Sequence, residues 1–219
     1  MSKRTSLLKG IHFIIIAMFL VGCTKASVNQ SNHLSSNDEI NSPQESAAIW
    51  DSKAKTVSEL VNEADAIILA RVIQAPITRI VKQELPMLNE SGTPIATVID
   101  ATQFSDTLFE VLKSYSGKSP SKLLVMQTGG FNDDTGAKNE FGDDPLYNVG
   151  EEYVLFLIDI SGDEIHAPNS ELFRVVNPSG RFLIRENTVT NYSADSIDLQ
   201  LPKTIDELED QIAKALATP

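Results

Sequence analysis

A single cysteine, Cys23, stands between a short apolar stretch and a long polar one, so no disulfide can form within this 219-residue chain. Any domain it builds is held together by its core alone. Upstream of the cysteine, residues 1–10 carry Lys3, Arg4 and Lys9 and no acid, and residues 13–21 are apolar without a break. That is the basic start and apolar run of a secretory signal. The run is too short for a membrane span, which takes roughly 20 apolar residues. His12 on one side and the polar segment from Thr24 on the other close it early.

The tetrapeptide Leu20-Val21-Gly22-Cys23 resembles the end of a bacterial lipoprotein signal, in which small residues precede a cysteine that is diacylglyceryl-modified before cleavage. The resemblance implies a signal peptide over residues 1–22 and a lipid on Cys23. The chain would then be anchored on the extracytoplasmic face of the cell membrane. Thr24 does not resemble the aspartate retention signal, so transport to an outer membrane stays open where the host has one. Each buried methylene contributes about 0.8 kcal/mol, and two acyl chains hold stably where one is marginal. The other reading of Cys23 is an unmodified thiol.

Cleavage after Gly22 removes three of the 18 basic residues and none of the 30 acidic ones, which leaves 15 against 30 and a formal charge of −15. Such a field opposes nucleic acid and anionic headgroups and favours solubility or a cationic partner. Residues 24–48 are mostly Ser, Asn, Gln, Glu and Asp, too polar to bury the surface that ordering requires. Residues 23–49 therefore read as a lipidated cysteine and a tether, with a flexible reach of roughly 25–30 Å. Residues 50–219 suit one domain by length.

Within that domain Thr56 and Glu59 have capping-box spacing and Val57, Leu60, Val61 and Ala64 share one helical face, predicting a short helix. Residues 66–73 read as a buried strand that Pro76 closes or bulges. Residues 77–81 read as its continuation, and residues 82–94, with Pro86, Asn89, Gly92 and Pro94, read as a loop or hairpin tip. Strands follow at 107–113, 122–128 and 153–160, then shorter ones at 164–167, 172–176, 181–185 and 188–192, divided by turn residues. A second helix starts at Thr204, with Glu207 three residues on and Ile205, Leu208, Ile212 and Leu216 as its buried stripe. Closely spaced strands with turns argue for an all-β sandwich or barrel.

Few residues carry chemistry. His166 is the lone histidine of the domain, and with no cysteine beyond Cys23 a zinc site of nitrogen and sulfur ligands lacks its usual residues. No Gly-x-Ser-x-Gly elbow occurs. Gly117-Lys118-Ser119 lacks the earlier glycine of a phosphate loop and reads as a turn. No motif calls for a cofactor. The segment from Phe131-Asn132-Asp133-Asp134 to Phe141-Gly142-Asp143-Asp144 sets two aromatic residues among paired acids. Its register fails the EF-hand loop, leaving an irregular cation site or a solvated loop as the alternatives. As a binding surface, Phe131, Asp133, Asp134, Phe141, Asp143 and Asp144 suit an envelope protein or a cationic ligand. Trp50, where tether meets domain, reads as a packing plug.

The order Ser58-Glu59-Leu60-Val61, Ala64-Asp65-Ala66-Ile67-Ile68-Leu69-Ala70-Arg71-Val72, Phe109-Glu110-Val111-Leu112-Lys113, Gly129-Gly130, Val149-Gly150-Glu151-Glu152-Tyr153-Val154-Leu155-Phe156-Leu157 and Gly180-Arg181-Phe182 resembles a family of uncharacterised bacterial extracytoplasmic domains. More distantly it is similar to the netrin-like module of metalloproteinase inhibitors. That likeness implies a mostly β, OB-like Greek-key barrel bracketed by short N- and C-terminal helices. The inhibitors' disulfides are absent, and their zinc-chelating N-terminal cysteine would correspond only to Cys23, far from the barrel. Two function classes follow: a non-catalytic binding module on a lipid tether, or an envelope enzyme whose site shows no sequence motif.

Overall fold

In the computed structural model the chain is described over residues 52–132, 135–192 and 201–218. The expected signal, Cys23, the tether and Trp50 lie outside these residues. The first element, α1 (Val57–Glu63), forms as its capping box predicts. Thr56 Oγ1 accepts from the Glu59 amide at 3.2 Å, and Glu59 Oε2 accepts from the Thr56 amide at 3.0 Å. The chain then turns extended at Ala64, and the Asp65 amide donates to the Leu157 carbonyl at 2.8 Å. This docks the start of β1 (Ala66–Val72) against β7 (Glu152–Asp159).

The other strands are β2 (Ile77–Leu88), β3 (Pro94–Ser116), β4 (Lys122–Thr128), β5 (Gly130–Phe131), β6 (Lys138–Asn139), β8 (Phe173–Val175), β9 (Arg181–Arg185) and β10 (Thr188–Asn191). Strand β1 pairs with both β3 and β7, β3 pairs with β4, β4 runs parallel to β8, and β8 returns to β7. The ring β1-β3-β4-β8-β7 is therefore closed. With its single parallel strand pairing, Val125 opposite Phe173 and Met126 opposite Arg174, this is the OB-like Greek-key barrel expected, and each of the five strands is paired on both sides within the ring. Between β8 and β9 the chain makes a one-turn 3₁₀ helix, Pro178–Gly180, so β9 continues along β7 in place of β8.

Alternation fills the ring. Ile68, Ala70, Val72, Phe109, Val125, Tyr153, Leu155 and Leu157 point inward, while Ile67, Val154 and Phe156 point outward under α1 and α2 (Ile205–Leu216). Strand β7 is buried on both faces, which explains its unbroken apolar run. Helix α2 begins at Thr204, which accepts from the Glu207 amide at 3.2 Å, and buries Leu208 and Ile212. Leu216, expected in that stripe, is 43% exposed because the helix runs past the core it covers. No helix among the described residues is long and apolar enough to cross a membrane.

Two other expectations need correction. Residues 82–94 are not a loop: β2 continues to Leu88, and the tip is only residues 89–93, where Asn89 Oδ1 accepts from the Ser91 and Thr93 amides. Pro86 is tolerated because β2 pairs only with β3 among the described residues, and an edge strand can lose a donor. Residues 164–167 are a turn and not a strand. Asp163 Oδ1 accepts from the amides of Ile165 and His166 at 3.0 and 2.7 Å, wrapping the chain around the carboxylate. Residues 117–119 form a turn, as expected; Gly117 has φ +76°, and a Cβ there would lie 2.1 Å from the Asp65 carbonyl oxygen.

Candidate binding groove

Where β4 ends, Gly129 and Gly130 carry the chain past the base of the β2–β3 ribbon. Gly129 has φ +101° and a Cβ there would lie 2.4 Å from the Asn139 carbonyl oxygen; at Gly130 it would lie 2.5 Å from Thr78 Oγ1. Only glycine fits such an approach. The crossing is then fastened: Ser105 Oγ donates to the Gly129 carbonyl at 2.8 Å, and the Phe131 amide donates to Thr78 Oγ1 at 2.8 Å. Gln103 Nε2 donates to the Phe131 carbonyl at 2.9 Å.

From there β5 and β6 pair as a small hairpin, so this stretch of the expected loop is built on a ladder. Between the hairpin and the ribbon lies an open groove of about 450 Å³. Ile80, Ala101, Thr102 and Gln103 form the ribbon wall, Thr128 and Gly129 the floor, and Asn132, Asn139 and Phe141 the hairpin wall. The lining is amides, hydroxyls, one aromatic ring and aliphatic carbon, with no charged side chain. It offers hydrogen bonds and apolar contact.

Of the residues singled out from sequence, Phe141 lines the groove and Phe131 sits on the hairpin, 38% exposed. Asp143 is half-buried on the turn that follows. Asp133 and Asp134 lie outside the described residues. Asp144 does not join an exposed acidic surface: it is 1% exposed and paired with the equally buried Arg181 at 2.9 Å. Gln127 Nε2 donates to Asp144 Oδ1 at 2.8 Å, and Arg181 Nη1 also donates to the Pro145 carbonyl. Burial pushes the Asp144 carboxyl up to about 6, against the opposing pull of Arg181 and Gln127.

The Arg181 guanidinium lies 3.8 Å from the Tyr147 ring centre, 4.8 Å from that of Tyr153 and 5.5 Å from that of Tyr192. Burial raises the Tyr147 and Tyr153 phenols as well, so both stay protonated. The consequence reaches the groove. Residues 144–147 are drawn toward the barrel interior, Leu146 and Tyr147 are buried, and the Asp144 amide donates back to the Phe141 carbonyl at 3.1 Å. The buried ion pair thus fixes the segment that carries the aromatic wall.

Arg181 had no chemical motif to mark it, yet period two places it on the same inward face of β9 as Leu183. His166 lies away from the groove lining, its Nδ1 2.9 Å from Asp163 Oδ1 and its ring edge-on to Phe104. Among the described residues no three His, Cys, Asp or Glu side chains gather as a metal site. No protein-family model matches the chain. No curated protein matches it either.

Proposed function

We propose that this protein is a non-catalytic binding module of the bacterial cell envelope, held on the extracytoplasmic face of the membrane by lipid on Cys23, and that its ligand lies in the groove beside Phe141. The anchor is supported by the residues before Cys23 and the basic, apolar stretch upstream of them. The groove carries the binding reading: an uncharged, partly aromatic trough set on a closed barrel, with Asp143 two residues beyond Phe141 in the chain and a net charge of −15 on the mature chain. An extended peptide with an apolar residue against Ile80 and Phe141 and basic residues beside it matches that chemistry.

Selection of short peptides with fixed Lys or Arg positions on the immobilised protein tests this reading. Enriched peptides are expected to lose at least about tenfold in affinity with Phe141→Ala, the loss of one aromatic anchor, and to bind more weakly as salt rises. Failure to enrich any peptide, or equal affinity for the variant, would remove the groove from consideration. Mass spectrometry of the mature N-terminal peptide tests the anchor separately, with a diacylglyceryl Cys23 expected and an unmodified peptide running from Gly22 into Cys23 against it.

A further inference from the structure

The β2–β3 ribbon leaves the barrel with apolar side chains in solvent on both faces. Ile80 and Ile99, 64% and 65% exposed, share one face; Met87 and Val98, also exposed, share the other. A two-stranded ribbon is marginally stable in water by itself. Its outer strand, β2, is twelve residues long and pairs only with β3 among the described residues, so one backbone edge is open. Such an edge is a template for another strand.

We propose that the strand completing it is β2 of a second copy of this chain, antiparallel about a two-fold axis at Gln83. The charges of β2 select that register. A pairing that keeps like faces together can be centred on any residue, but centring on Lys82 sets lysine against lysine, and centring on Glu84 sets glutamate against glutamate. Centring on Gln83 sets Lys82 of each copy opposite Glu84 of the other, twice by symmetry. Both side chains are exposed and make no ion pair among the described residues. The same register sets Val81 against Leu85 and Ile80 against Pro86, so apolar residues meet on both faces, and Pro86, which has no N–H to donate, ends the shared ladder at that pair. Opposite-charge and apolar cross-strand pairs are the units that stabilise a sheet. The four-stranded sheet that results also lengthens the ribbon wall of the groove, since Ile80 lines it. None of this depends on what the groove binds.

Thiol crosslinking of the full chain in intact cells tests the pairing. Gln83→Cys sets its own side chain across the axis at about 5 Å, within reach of a short bismaleimide, and a product of twice the monomer mass is expected. Asp100→Cys, opposite Gln83 on β3, lies three strand spacings or roughly 14 Å from its counterpart and should give little product. The parent chain, which retains Cys23, supplies the background. In the Gln83→Cys chain, adding Lys82→Glu sets acid against acid at both places and should cut the yield roughly fivefold or more, while adding Glu84→Lys to that variant should restore it. Recovery by the double exchange shows that the single variant had not merely misfolded. A monomer only, a product of some other mass, or a double exchange that stays as weak as the single one would overturn the proposal.

Discussion

Asp144 and Arg181 show how far a side chain's role can depend on a residue distant in sequence. A buried charge left without its partner costs several kcal/mol, whereas replacing both partners by apolar groups of similar size is often neutral. Arg181→Met is therefore expected to destabilise the fold by about 3–5 kcal/mol in urea titrations. Arg181→Met combined with Asp144→Leu should recover most of that loss. Asp144 also gives a signature in pH. Its ordinary value is 3.8 and its value in the fold is about 6, so between the two the folded protein holds a proton that the unfolded chain has released. This contribution is full below about pH 3.8 and is lost as pH rises through about 6. Measured against Asp144→Asn, the stability of the parent should fall by about 3 kcal/mol across that window. A constant difference between the two proteins would contradict the assignment. Nothing local marks Asp144 as buried: it follows Gly142 and Asp143 in a stretch of turn composition, and its partner is 37 residues away.

Among the elements, strands with a buried face are legible in sequence and the ribbon is not. Strand β4 has the bounds its residues predict, β1 ends one residue before its expected end, β7 lies one residue earlier than expected at both ends, and both helices begin at their capping threonines. Burial imposes an apolar pattern there. In residues 94–103 no face of β3 is buried, so alternation has nothing to enforce it, and Pro86 and Gly92 nearby read as loop. The β5–β6 hairpin is legible only through its glycines. Gly129→Ala should cost about 1–3 kcal/mol, since the new Cβ meets backbone at a left-handed φ. Amide exchange over residues 130–139 should quicken in that variant while the barrel strands stay protected. Uniform loss of protection would show instead that the crossing belongs to the global fold.

For the whole molecule, ring closure joins strands far apart in sequence without any disulfide. The ring closes through β4 and β8, which share only two residue pairs, and through the double use of β1. Strand number and turn spacing narrow the architecture to sandwich or barrel; the closing contacts separate the two, and they join residues far apart in sequence. Closure also decides where a ligand has room, because the ribbon and the β5–β6 hairpin stand beyond the ring with the groove between them. The most direct test of the binding proposal is amide hydrogen exchange on the full chain with and without a selected basic peptide. Protection gained over residues 78–82, 101–103 and 128–141 is the predicted result. Protection confined to α2 or to the β9–β10 hairpin, with the groove unchanged, would contradict it.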